Sequence, residues 1–265
     1  MIEPIQITET DVVLCRSGIY EALALGFRPP NWETIERLLT QTHNQALAEI
    51  AAILDEAGNS KKLKNLAACI RKLMECSEGA ELEALNSSFR YLFGHTAHSK
   101  VPPYETEYGT ETLFQQPQKL SDLSGFLTAF GLKLEFGQHE RIDHISCECE
   151  FLSFLARKEA YALEKNDTDM LEETRKAQKL FLKDHLGRFA PSFSNMLMRE
   201  ASDSFYAALG ELCGKFVLLE CARFGSPSGP ENLRLRPKVT GDDCLTCGSG
   251  EEIILDMCDS NCGLE

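Results

Sequence analysis

Along most of this 265-residue chain, apolar residues recur three and four positions apart, the period of helices that bury one face. The first predicted helix covers residues 8–26. Thr8 is placed to cap it, Asp11 stands in the capping-box position, and Val12, Cys15, Ile19, Ala22 and Leu23 form its apolar face. Gly26 and then Pro29-Pro30 end it. Asn31 caps a second helix, which begins its stripe at Ile35, Leu38 and Leu39 and runs to Ala57-Gly58 with a break around Gln41–Asn44. Ser60 opens a third, carrying Leu63, Leu66, Ile70 and Leu73, and Ala80 to Phe93 makes a fourth. The prolines of 102–117 favour an ordered loop, after which a short helix spans Leu120 to Phe130. Asp143 is expected to cap a helix reaching Lys165, with Ile145, Cys149, Leu152, Leu155 and Ala156 inward. Thr168 or Asp169 caps the next, from Met170 to about Leu186, closed by Gly187. Two more are predicted: Pro191 to about Ala201, and Asp203 to Phe224 with Phe205, Leu209, Leu212, Phe216 and Leu219 in register.

No strand-period alternation and no internal repeat interrupts this pattern. The predicted class is all-α: one helical bundle of about eight to ten helices over residues 1–225, by the usual short connections. Ser226-Pro-Ser-Gly-Pro230 reads as the start of a linker over 226–240, and residues 241–265 form a Cys-rich acidic extension.

Composition narrows the function. At 43% hydrophobic and 26% charged the chain is of ordinary soluble type. It has no apolar run near the about 20 residues that span a bilayer. Met1-Ile-Glu-Pro-Ile lacks the basic start and apolar core of a secretory signal, so a cytoplasmic location is expected. A net charge of -14 disfavours nucleic acid and anionic membrane surfaces and suits a basic partner. Seven acids and no Lys or Arg fall within 241–265. Among the eleven cysteines, Cys15, Cys69, Cys76, Cys147, Cys149, Cys213 and Cys221 lie in apolar helical contexts and read as buried small hydrophobes. The other four, Cys244, Cys247, Cys258 and Cys262, have the spacing C-x2-C-x10-C-x3-C. Two close thiolate pairs suit tetrahedral zinc, with an iron–sulfur cluster as the lesser alternative and a redox-active acidic tail as the bland one.

Two segments hold more chemistry than a connector needs. Val101-Pro-Pro-Tyr-Glu-Thr-Glu-Tyr-Gly109 contains Tyr104, Glu105, Glu107 and Tyr108, and Glu140-Arg-Ile-Asp-His144 contains Glu140, Asp143 and His144. Asp143 beside His144 invites an acid–base reading, but neighbours at a helix start point in different directions and no nucleophile motif accompanies them. In an extended segment Glu105 and Glu107 would share one side without a partner. No phosphate-binding or dinucleotide loop is present. A catalyst is therefore not expected, and no catalytic cofactor.

Pro102-Pro-Tyr-Glu-Thr-Glu-Tyr-Gly109, followed at this distance by Asp143-His144, resembles the redox-enzyme maturation chaperones of the TorD, DmsD and NarJ type. Arg16-Ser-Gly-Ile-Tyr20, Pro29-Pro30, Phe89-Arg-Tyr-Leu-Phe93, Glu148-Cys-Glu-Phe-Leu152 and Lys158-Glu159 extend the resemblance over about residues 12–224. Ile142 departs from it, since the family often has proline before Asp-His. The resemblance implies a cytoplasmic chaperone, monomeric or homodimeric. It would bind the apo catalytic subunit of a molybdenum oxidoreductase of the dimethyl-sulfoxide-reductase superfamily for cofactor insertion, and in some cases its twin-arginine signal peptide. The four-Cys tail suggests a subgroup serving the type II enzymes of that superfamily. Tyr104, Tyr108 and apolar helix faces would then take the apolar body of such a peptide, with Glu105, Glu107, Glu140 and Asp143 for its arginines and His144 beside them. The two segments would face each other as walls of a groove. The alternative function is a metal-binding regulatory or electron-transfer protein using Cys244, Cys247, Cys258 and Cys262.

Overall fold

The computed structural model describes residues 7–57, 65–94, 99–109, 115–134, 141–201 and 204–236. Among them the regular elements are helical: α1 (Glu9–Gly26), α2 (Trp32–Thr34), a π-helical stretch Ile35–Leu39, α3 (Gln41–Ala57), α4 (Leu66–Ser77), α5 (Leu82–Phe93), α6 (Gln115–Ala129), α7 (Ile145–Lys165), α8 (Thr168–Asp184), α9 (Leu186–Glu200) and α10 (Phe205–Arg223). The all-α expectation holds. Extended pairing is confined to two isolated antiparallel bridges, Tyr104 with His144 and Tyr108 with Leu235.

Local chemistry sets the boundaries. At the start of α1 the capping box forms as the sequence suggests: the Asp11 N–H donates to Thr8 Oγ1 at 3.2 Å, and the Thr8 N–H to Asp11 Oδ2 at 2.8 Å. The expected interruption of the second helix falls at Thr40, whose extended backbone separates the π-helical stretch from α3. Two caps differ from expectation. Asp167, not Thr168 or Asp169, caps α8 by accepting from the Met170 N–H at 3.0 Å. His144, not Asp143, caps α7.

The centre of the bundle is α1 against α7, flanked by α9 and α10. Both α1 and α10 bury most of their circumference, as helices that are apolar nearly all round must. Gly26 allows the close crossing: a Cβ there would lie 2.7 Å from a Leu209 methyl. Aromatic rings fill the α5, α9 and α10 interface, with Phe93 edge-on to Tyr206 at 5.5 Å and Phe27 edge-on to Phe193 at 5.2 Å. Cys15, Cys69, Cys147, Cys149, Cys213 and Cys221 are buried, as predicted, whereas Cys76 is only half-buried.

Within this apolar frame sits one guanidinium. Arg16 is 1% exposed. Its Nε donates to both Glu220 oxygens at 3.0 and 2.8 Å, Nη1 to Glu159 at 2.7 Å, and Nη2 to Gln178 at 2.6 Å. Gln178 returns a bond to Glu159 at 2.8 Å, Arg175 closes on the other Glu159 oxygen at 2.7 Å, and the Tyr20 hydroxyl donates to Glu220 at 3.2 Å. One side chain of α1 thus joins α7, α8 and α10.

Gly187 does not close a helix. It lies in the first turn of α9, where a Cβ would meet the Leu182 carbonyl oxygen at 2.2 Å. Pro191 lies inside the same helix. Lacking an N–H, it cannot bond the Gly187 carbonyl four residues back. That carbonyl instead accepts from the Gly229 N–H at 2.9 Å. Residues 226–236 are consequently a docked strap rather than the start of a free linker. The strap runs along α9, held by Leu233 N–H to Ser192 Oγ at 2.8 Å and by Asn195 to Glu231 O and Asn232 at 3.2 Å.

Replacing Arg16 with Met would leave Glu220 and Glu159 buried with their main cation gone. We expect a loss of about 3–5 kcal/mol in stability, read from the urea midpoint. A loss under about 1 kcal/mol would show that the network is marginal to the fold.

Candidate functional site

The two segments singled out by sequence meet. Tyr104 and His144 form an antiparallel bridge in which the Glu105 N–H donates to Asp143 O and the Ile145 N–H to Pro103 O, each at 2.8 Å. They are adjacent backbones, so the expectation that they face each other across a groove is corrected: their hydrogen bonds close the space between them. On its far side the first segment pairs with the strap. Gly109 N–H donates to Arg234 O at 2.8 Å and Arg236 N–H to Glu107 O at 2.9 Å.

Between the bridges, Glu105–Glu107 forms a single 3-10 turn. Three residues per turn send Glu105 and Glu107 in different directions, contrary to the same-side arrangement expected of extended backbone. Glu105 points inward and is fully buried, with His185 Nδ1 at 2.9 Å from Oε2, and Arg188 Nη2 and Nε donating to Oε1 at 2.9 and 3.2 Å. Burial alone would raise its pKa, yet His185 and Arg188 hold the carboxyl below the usual range. Tyr108 is also buried; its hydroxyl donates to Pro102 O at 2.8 Å and its ring lies 5.4 Å from Phe189. Glu107 remains half-buried, with no side-chain ion pair among the described residues.

Asp143 is fully buried and accepts from Arg141 Nε at 3.0 Å, Arg141 Nη2 at 2.8 Å and Thr106 Oγ1 at 2.7 Å. Because those bonds occupy its carboxylate, the cap of α7 passes to His144, whose Nδ1 accepts from the Ser146 N–H at 3.2 Å. Burial, and then the charges of Arg28 and Arg141, depress His144 to a pKa of about 3, so the ring is neutral. Tyr104 is half-buried, its ring edge-on to His144 at 5.3 Å and beneath the Arg141 guanidinium at 4.5 Å. The predicted direct contacts of Glu105 and Asp143 with a ligand's arginines are replaced here by contacts with Arg188 and Arg141. Glu140 and the four tail cysteines lie outside the described residues.

Sequence reasoning assigned Glu148 no role of its own. It is 1% exposed, and neither carboxyl oxygen has a hydrogen-bond partner among the described residues. Burial, then the negative charges of Glu105 and Asp143, push its pKa well above the ordinary 4.5. A signal was available: position 148 falls on the inward stripe defined by Ile145, Leu152 and Leu155. Beside the site, α1, α7 and the end of α6 enclose a groove of about 390 Å³. Leu25, Leu127, Phe151 and Phe154 give it an apolar floor, and Arg28 and Glu150, paired with each other, stand at its edge.

The Glu148 carboxyl makes the site pH-sensitive. Its raised folded pKa gives stability that is full below the unfolded value of 4.5 and lost as pH rises above it. His144 acts oppositely, removing stability as pH falls below the ordinary 6.5. Above neutral pH the Glu148 carboxyl contributes a slope of at most about 1.4 kcal/mol per pH unit, and the thiols of Cys147, Cys149, Cys213 and Cys221, raised by burial, steepen the decline toward pH 9. Glu148→Gln should therefore make the decline of the urea midpoint with rising pH shallower and raise the midpoint at pH 9. Parallel profiles for the two proteins would contradict this.

Residues 39–195 match the family model described as nitrate reductase delta subunit. The perchlorate reductase assembly chaperone protein of Dechloromonas aromatica is 28% identical over 217 residues, 78% of this chain and 88% of that protein. The chaperone protein TorD of Vibrio cholerae is 26% identical over 170 residues, 63% of this chain and 74% of its own length. The selenate reductase assembly chaperone protein of Thauera selenatis is 35% identical over 106 residues, 40% of this chain and 53% of its own. The family match takes in more than half of the chain and both paired segments, and the chain therefore belongs to the nitrate reductase delta subunit family.

Proposed function

We propose that this chain is an assembly chaperone and not an enzyme. It binds the apo catalytic subunit of a molybdenum oxidoreductase of the dimethyl-sulfoxide-reductase superfamily in the cytoplasm and holds it for cofactor insertion. The observation that carries this reading is the set of relatives named as chaperones, two of them for perchlorate and selenate reductases. The geometry agrees with it. His144 is neutral and engaged as a cap, Asp143 is bound to Arg141 and Thr106, and the paired segments form a brace without a nucleophile. No helix among the described residues is long and apolar enough to cross a membrane.

A signal peptide or other exposed segment of the client would use the 390 Å³ groove for an apolar stretch and Glu107 with Tyr104 for a basic residue. Tyr108, Glu105, Asp143 and His144 act from inside by holding that surface in shape. In the tail, the spacing of Cys244, Cys247, Cys258 and Cys262 supports a tetrathiolate zinc site.

Affinity capture with the tagged chain should recover a large molybdoenzyme subunit lacking its cofactor, and a strain without the chain should accumulate inactive apoenzyme. Normal cofactor loading in that strain with no client captured would end this reading. Glu107→Lys should weaken capture about tenfold, or about 1.4 kcal/mol, without altering the circular dichroism spectrum, whereas Tyr108→Ala should also lower stability. Metal analysis of the purified chain should find one zinc, lost in Cys244→Ser/Cys247→Ser; a zinc-free, colourless protein would leave the tail without a metal role.

A further inference from the structure

We propose that the strap occupies the client's own place: Leu233-Arg234-Leu235-Arg236 pairs with the Glu107–Gly109 edge as a stand-in for an extended client segment of alternating apolar and basic residues, which displaces it. This rests on the chaperone reading above and adds the contact edge, the peptide chemistry and a built-in competitor.

The first support is the kind of contact. The strap meets the site segment through two backbone hydrogen bonds around a non-hydrogen-bonded pair, Tyr108 with Leu235. Such pairing reads no side-chain identity, so any extended peptide can reproduce it, and alternate side chains supply selectivity. The opposite edge of the same segment is taken by Asp143–Ile145, fixed to the start of α7. Only the strap edge can be vacated without unwinding a helix.

The second support is chemical. Leu233 packs against the core and the next residue, Arg234, is exposed, and the strap's Leu-Arg-Leu-Arg sequence alternates apolar and basic residues as the proposed ligand would. Glu107, the half-buried carboxylate of the site segment, lies directly across this pairing.

The third is that the strap sits imperfectly. Leu235 remains 36% exposed. Arg236 has Nε and Nη1 enclosed without a hydrogen-bond partner among the described residues, an arrangement that penalises the docked state. A segment that places a basic group onto Glu107 would gain what the strap forgoes. The strap's seat lies at α9, where Gly229 passes so close that a Cβ would come within 1.9 Å of Arg188 O. That contact makes the strap removable by a single substitution.

The test uses the full chain and a fluorescein-labelled synthetic peptide of residues 230–236, Pro-Glu-Asn-Leu-Arg-Leu-Arg, followed by anisotropy. In Gly229→Val the added side chain evicts the strap. In Arg236→Pro the N–H that bonds Glu107 O is gone, with no bulk added at α9. Both variants should lose hydrogen-exchange protection at the Gly109 amide and bind the peptide at least tenfold more tightly than the unaltered chain. Adding Glu107→Lys should abolish that gain. Unchanged Gly109 protection in both variants, or peptide binding no tighter than in the unaltered chain, would overturn the inference. The apo catalytic subunit then separates the two readings. If the unaltered chain captures it and both variants capture it no better, the chaperone reading stands and the stand-in role falls. If neither the chain nor the variants capture it while the peptide still binds the variants, the edge is real and the client reading falls.

Discussion

The Arg16 guanidinium is the constraint on which the bundle depends. Four helices converge on it, and each of its three nitrogens has an acceptor. A cation enclosed among apolar helices is costly unless its donors are met, so α1, α7, α8 and α10 must reach their native relation before this group is tolerated. Its attraction to Glu159 and Glu220 does not by itself stabilise the fold, because desolvation offsets much of it. What the network imposes is register. A slide of α8 along α7 would separate Gln178 and Arg175 from Glu159 and leave its Oε1 without a cation in the interior. The same α7 carries, at its other end, the residues that pair with the 102–109 segment, so the position of the site is inherited from that register.

The site is a brace rather than a reaction centre. The carboxylates of Glu105 and Asp143 and the imidazole of His144 face inward and are occupied by the protein's own arginines, hydroxyls and amides, and that occupation is what keeps the half-buried members, Tyr104 and Glu107, in place. Arg141 shows the economy of the arrangement, since one side chain neutralises Asp143, reaches Thr106 and covers the Tyr104 ring. A surface held this firmly presents its edge at little entropic cost on binding.

Much of the fold was legible in the sequence because helical period, caps and breakers are local. Thr8 with Asp11, the stripe from Ile145 to Ala156 and the register of Phe205 to Leu219 all carried through. The site was legible as a pair of segments but not as an arrangement. Asp143 and His144 are both able to cap α7, and only the distant Thr106 and the side chain of Arg141 decide which does. Ser226-Pro-Ser-Gly-Pro230 has the composition of a linker, yet Gly229 is needed for close approach to Arg188 and Gly187, a tertiary demand with no local trace. Glu105 and Glu107 were misplaced by assuming extended backbone where one 3-10 turn intervenes. Glu148 entered the sequence reading only as part of the Glu148–Leu152 motif, and its place on the inward stripe was not used.

Pro191 has a temporal consequence. By leaving the Gly187 carbonyl open, it creates a receptor for Gly229, a residue synthesised only after α9 and α10. The loop that this contact closes is long in sequence, and long-range contacts of that kind form late. During synthesis the edge at Glu107–Gly109 is therefore bare for as long as the last helix and the strap remain untranslated. A newborn copy of this protein passes through an unguarded stage before it acquires its own cover.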